Sequence, residues 1–222
     1  MRPKRMTSSP RSAPRGLRGR PMHVAVITPP EPVITLAEAK MHLRVDHTDD
    51  DALIARLVAA ATQHVSPPTG WLGRSLGVQT LELSMVSFHE QCRGNLIALP
   101  FRPIVEVTSV KYLDQDGAET TLATDKWRIV DDYMVAPVYN GSWPVARRDH
   151  GSVRIRYVAG YPDTDGEPPV RTVPEKAIVA ILLYVGAWYE NREEMVAGVA
   201  VNALPPVASA EALLSTLRIW SL

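Results

Sequence analysis

SLGVQTLELSM, residues 75–85, is where the hydrophobic pattern of this chain changes. Leu81, Leu83 and Met85 alternate with Thr80, Glu82 and Ser84, the period of a strand with one wet face. The residues before it repeat at helical spacing instead. A chain that switches from helix to sheet at about Ser75 is α+β, and the rest of the reading works outward from that switch.

Upstream, Thr35-Leu36-Ala37-Glu38 is a Thr-x-x-Glu capping box: the Thr35 hydroxyl accepts a backbone bond while Glu38 reaches back. It predicts a short helix running to about Arg44. After the polar break Asp46-His47-Thr48, the carboxylates of Asp49, Asp50 and Asp51 sit where a helix N-terminus favours negative charge. Leu53, Ile54, Leu57, Val58 and Ala61 then follow as an amphipathic second helix that ends before Pro67-Pro68.

Downstream, further strands are predicted at 95–99, 104–113, 126–130 and 152–158. In the last, Val153, Ile155 and Tyr157 oppose Ser152, Arg154 and Arg156. Asp116-Gly117 and Asn140-Gly141 are suited to the positive φ angles of tight hairpins. A Pro/Gly/Asp-rich linker at 161–169 returns the chain to helix, with Pro174 fit for a first turn.

Ile178, Ile181, Leu182, Val185, Trp188 and Tyr189 trace one stripe, and Ala177, Val179, Ala180, Leu183 and Tyr184 make the other faces apolar too. Such a helix is expected to be central and buried. A last helix is predicted with Ser209 as N-cap and Leu213, Leu214 and Leu217 as its stripe. No internal repeat is found. The expected fold is α+β, a helical bundle of about four helices with an inserted antiparallel β unit. Its parts are a basic arm at 1–23, a helical core at 24–74 and 167–222, and a β domain at 75–166.

With 222 residues and 45% hydrophobic content the chain can bury a real core. Its formal charge of zero hides an asymmetry. Arg2, Lys4, Arg5, Arg11, Arg15, Arg18 and Arg20 lie in a segment without acidic groups, leaving 17 basic against 24 acidic groups, about −7, for the rest. The arm is too polar to repay the entropy of ordering and lacks the apolar stretch of a secretory signal. Translation starting at Met22, a solvated tail, and a nucleic-acid-binding arm are its three readings. Cys92, the single cysteine, excludes an internal disulfide. The apolar run 177–189 falls short of the roughly 20 residues of a membrane span. A soluble, intracellularly made protein is expected.

The search for chemistry finds no assembled centre. The six histidines, His23, His42, His47, His64, His89 and His150, form no His-x-x-x-His pair, and neither a nucleophile elbow nor a phosphate-cradling glycine loop occurs. Asp46, His47, Asp49, Asp50 and Asp51 lack the glycine and closing glutamate of a calcium loop, so helix-start charge explains them better. Cys92 has no evident base beside it. Neither cofactor nor metal is expected, and an enzyme is the last choice among functions.

LAEAKMHLRVDHTDDDALIARLVAAAT (36–62), GSWP (141–144), VAGY (158–161), WYENRE (188–193) and the ending RIWSL, taken in this order, resemble the phage head-tail connector (adaptor) family. The likeness is to the branch whose helical core carries a β insertion, found also in prophages and gene transfer agents. It runs from about Val24 to Leu222 and departs at Val65-Ser66-Pro67-Pro68, where the second helix ends early.

The resemblance implies a non-catalytic virion protein of the neck, at the portal vertex, assembled in the cytoplasm of a bacterial host. It implies a ring, twelve-fold in mature particles, below the portal protein, meeting a tail-side stopper or tail terminator and passing DNA without sequence-specific binding. No membrane partner is implied.

In WYENREEMVAG (188–198), two aromatics run directly into a charged edge. A closed ring needs one face on each subunit that fits a different face of its neighbour. A subunit interface at Trp188, Tyr189, Glu190, Asn191, Arg192 and Glu193 would supply one; a fraying helix end over ordinary core is the other reading. By resemblance Arg218, Ile219, Trp220, Ser221 and Leu222 dock on the portal, with packing on their own bundle as the alternative. Two further classes stand beside the connector. One is a sugar- or peptide-binding β module with Trp127, Trp143 or Tyr139 exposed on one patch; the other is a DNA-binding regulator that uses the arm.

Overall fold

Leu72 and Leu76 are buried with the helices and Leu81 is buried in the sheet, so the change from one hydrophobic core to another falls between Leu76 and Leu81, just past the switch read at residue 75. The computed structural model describes residues 23–89, 95–191 and 205–219. Over these the chain is α+β. The strands are β1 (His23–Thr28), β2 (Gln79–Met85), β3 (Ile97–Ala98), β4 (Ile104–Leu113), β5 (Glu119–Leu122), β6 (Trp127–Val130), β7 (Met134–Pro137) and β8 (Val153–Ala159). The helices are α1 (Leu36–Leu43), α2 (Asp51–Val65), α3 (Glu175–Glu190) and α4 (Pro205–Ser215).

A five-stranded antiparallel sheet runs β1-β2-β8-β4-β5, and a three-stranded one runs β3-β7-β6. In the β2–β8 ladder Leu81 opposes Tyr157 and Leu83 opposes Ile155, all fully buried. Glu82 opposes Arg156 on the wet face, where the guanidinium donates to its carboxylate at 2.8 and 3.1 Å. A slip of one residue would exchange these two sets, so the alternation pins the register.

The first turn of α1 forms as its capping box requires. Thr35 N–H donates to Glu38 Oε2 at 2.8 Å, and Glu38 N–H donates to Thr35 Oγ1 at 3.2 Å. At its end Arg44 takes a left-handed φ of 56°. The helical core gathers Ile34 and Ala39, Ile54, Ala61 and Val65 of α2, Ile181 and Tyr184 of α3, and Ala210 and Leu214 of α4. After α2 the chain turns back, with Gly70 N–H donating to Ser66 O and Leu72 N–H to Val65 O. The Pro67-Pro68 departure is therefore a turn that returns Trp71, Leu72 and Leu76 to the helices before the sheet begins.

Several elements differ from the reading of the sequence. The 24–74 stretch does not begin as helical core: β1 is an edge strand whose Val24 and Val26 pair with Leu83 and Leu81 and pack on the sheet core. Strands β5 and β7 are absent from the sequence reading; they are defined by their pairing with β4 and β6. Asn140 has a φ of 57°, yet Gly141 does not share it, and the strands on either side, β7 and β8, belong to different sheets. That stretch is a link between layers, not a tight hairpin.

Helix α4 starts at Pro205, which places Ser209 inside it instead of at its N-cap. Proline pairs suit a first turn because its N–H groups lack helical acceptors. Helix α3 is not buried all round: Val179 is 45% exposed, and Leu182 and Leu183 are half-buried.

Backbone contacts that tolerate no side chain close the β2–β8 ladder at its end and hold the loop before α1 against it. Gly160, at the end of β8, has a φ of +132°, and a Cβ there would lie 2.3 Å from Gly77 O. A Cβ on Gly77 would lie 2.1 Å from Glu31 O, whose own residue donates N–H to Val78 O at 2.9 Å. No described helix is long and apolar enough to cross a membrane.

Candidate functional site

Helix α3 carries its aromatic pair into the crossing with α2. The Trp188 ring meets His64 edge-on, 6.1 Å between centroids at 76°, and lies 5.7 Å from Tyr184. Half-buried, it packs on the helical core of its own chain. The Tyr189 hydroxyl donates to Asp50 Oδ2, at the start of α2. Asp50 makes no side-chain cap for α2, and the neighbouring Asp51 accepts from Lys40 Nζ at 2.6 Å. The acidic cluster is therefore fastened to α1 and α3.

Beyond the aromatics the helix closes on itself. Asn191 donates its backbone N–H at 3.0 Å and its side-chain Nδ2 at 2.9 Å to Ala187 O. Glu190 is exposed. Arg192 and Glu193 lie outside the described residues. The sequence-predicted interface thus begins as two anchors, Trp188 and Tyr189, held by α2, followed by Glu190 in water.

The C-terminal segment has a seat on its own chain. Ile219 N–H donates to Leu72 O at 3.0 Å, and the Arg218 guanidinium lies 5.5 Å from the centre of the Trp71 ring. A Cβ at Gly73 would come within 2.8 Å of Ile219 O. Arg74 fastens this seat: Nε donates to Leu217 O at 3.1 Å and Nη1 to the Tyr161 hydroxyl at 2.6 Å. Arg218 and Ile219 therefore rest on the α2–β2 connection, while Trp220, Ser221 and Leu222 lie outside the described residues.

Arg74 is the residue that sequence reasoning missed. Its partners stand 87 and 143 positions away, and no local pattern carries that information. It gives VAGY a physical meaning, since Gly160 packs on the Gly77 backbone and Tyr161 takes the Arg74 bond. GSWP is likewise a fastening: Trp143 stacks on Phe88 at 4.7 Å and donates Nε1–H to Asn95 O at 2.9 Å.

That burial bears on the ligand-binding alternative. Trp143 is 3% exposed, Trp127 is half-buried, and only Tyr139, at 88%, stands in solvent. The three aromatics form no common patch. Among the described residues no three His, Cys, Asp or Glu side chains gather in a metal-holding group. Cys92 lies outside the described residues.

Two titrating groups respond to these surroundings. Partial burial opposes ionisation of Glu38, but the backbone bond from Thr35 and the Arg171 guanidinium, 2.5 Å away, outweigh it and hold its pKa below the usual carboxylate value. Burial, with a contribution from Glu211, raises the Tyr184 hydroxyl above its ordinary value.

The model of the family described as Phage gp6-like head-tail connector protein matches residues 33–113, from the loop before α1 to the end of β4. Among solved structures, a chain from the neck of an empty gene transfer agent (GTA) particle, computed with C6 symmetry, is 22% identical, with 90% of this chain and 97% of that chain covered and a TM-score of 0.69. A chain from the virion of a native GTA particle gives the same values, 22%, 90%, 97% and 0.69. One from the neck of a native GTA particle, computed with C12 symmetry, is 21% identical with the same coverage, 90% and 97%, and a TM-score of 0.62. No curated protein matches the sequence. The family match and the motif-based resemblance point the same way, and the solved chains share the fold over nearly its whole length.

Proposed function

We propose that this chain is a structural head-tail connector: one subunit of a ring in the neck of a phage-like particle, joining the DNA-filled head to the tail. The observation that carries the reading is the shared fold with a GTA neck chain over 90% of this chain and 97% of that one. The family match at 33–113 supports it independently.

In this reading twelve copies close below the portal protein and meet a stopper or tail terminator on the tail side. The helices α1 to α4 make the ring contacts, and the strands between α2 and α3, with β1 added as an edge strand, are the inserted β domain. Trp188 and Tyr189 anchor in their own core, which supports a reading in which Glu190, Asn191, Arg192 and Glu193 meet a neighbour. The acidic excess beyond the arm suits a channel wall that repels phosphate and lets DNA slide. No chemical step is assigned to the protein.

Electron microscopy of tagged protein, recovered with its partners from particle-producing cells, tests this. Rings stacked on a portal-sized partner are expected. Recovery only as a lone monomer, or with a small molecule or DNA, overturns the reading. Arg192→Glu is expected to leave the subunit folded by circular dichroism and to block the ring; unaltered assembly counts against the 188–193 interface.

A further inference from the structure

A heterologous ring contact needs two different faces, and the 188–193 segment supplies only one. The structure offers a second on α2. Between Asp51 and His64 this helix carries a single charge, Arg56, and its outward positions Ala52, Ala55, Ala59 and Ala60 are exposed. A water-facing helix side ordinarily carries charge. Alanines instead leave room for close approach and lose no side-chain entropy on contact.

Alongside this face lies an apolar groove of about 430 Å³, walled by Pro30, Glu31 and Leu36 on one side and by Ala55, Ala59 and Gln63 on the other. Among the described residues, Glu31 is the only charged group in its lining. What fits it must be apolar, uncharged and slender.

The chain contains such a segment directly after the proposed interface. Residues 195–204, MVAGVAVNAL, carry no charge and are mostly small and aliphatic. They lie outside the described residues, between Asn191 and Pro205. Helices α3 and α4 pack against each other, and the 192–204 connection between them is longer than the roughly 2–8 residues usual between packed helices.

We infer that the α2 groove is an interface surface that receives the 195–204 segment of a neighbouring copy. The inference rests on the ring reading above and names the second face of that contact. Segment and groove come from different parts of the sequence, so each subunit gives one and receives the other, and the contact propagates until the ring closes.

Two sets of variants test it. Ala59→Arg fills the groove with a charge at an exposed position, and Val199→Asp charges the segment. Each alone is expected to keep the wild-type unfolding midpoint and to lose ring-sized species. Mixed, the two leave one intact groove and one intact segment, so dimers form and stop. Separately, Ala59→Cys/Val199→Cys in a Cys92→Ser background, treated with a short thiol crosslinker in assembled rings, is expected to give a ladder of multimers.

A crosslinked product of monomer mass shows that the groove takes its own chain's segment and overturns the inference. So does ring assembly by Ala59→Arg at the wild-type level. If Ala59→Arg fails to fold, the crosslinked pattern decides. Wild-type protein that forms no ring overturns the connector reading itself, whereas wild-type rings with unaffected variants overturn this inference alone.

Discussion

Arg74 shows how one side chain can set the position of a distant segment. It holds the Leu217 carbonyl and the Tyr161 hydroxyl at once, tying the end of α4 to the end of β8. A hydrogen bond to a charged group contributes roughly 1.5–3 kcal/mol, so Arg74→Ala, which loses two, is expected to lower stability by at least that amount. Tyr161→Phe removes one of the two bonds and should cost less. Denaturant unfolding of both variants and of the pair measures the coupling, and strict additivity would show that the two residues do not act together.

Glu38 makes a second prediction at this scale. Its pKa in the folded chain lies below the unfolded value, so the stability it contributes is present above the ordinary carboxylate range and is lost as pH falls through the folded value. Unfolding midpoints measured downward from neutral pH should therefore drop less in Glu38→Gln than in wild type. Thr35→Ala removes the other half of the box and is expected to cost about 1 kcal/mol, a typical value for an N-cap. An unchanged midpoint in Thr35→Ala would mean that tertiary packing, not the cap, holds the start of α1.

At the scale of elements, the close approach of Gly160 to Gly77 leaves little tolerance for substitution. Gly160→Ala would place a methyl 2.3 Å from a backbone oxygen at a φ of +132°, where no flexible side chain can yield. Its expected cost exceeds about 1 kcal/mol, with loss of soluble protein on expression as the first sign. What the sequence made legible divides along the same line. The capping box, the β2 and β8 alternations and the apolar α3 were readable because a local period or spacing encodes them. The edge strand β1, the four-residue β5 and β7 and the true start of α4 were not, because they depend on a partner strand or on packing. The candidate interface was legible as a pattern, aromatic then charged, while its attachment to Asp50 and His64 and the seat of Ile219 arise only from tertiary contact.

For the whole molecule the decisive question is how the C-terminus divides its contacts between its own subunit and a partner. Arg218 and Ile219 are used internally, on Trp71 and Leu72. Deleting 218–222 would therefore remove an intramolecular seat together with any portal contact, and its loss of binding would be ambiguous. Deleting only 220–222 separates the two. The contacts of Leu217, Arg218 and Ile219 remain, so the unfolding midpoint is expected to stay at the wild-type value, while recovery of a portal-sized partner is expected to disappear. Retained recovery would return Trp220 and Leu222 to their own bundle. A lowered midpoint with retained recovery would say the same, since it would show those apolar side chains already spent on the subunit's own core.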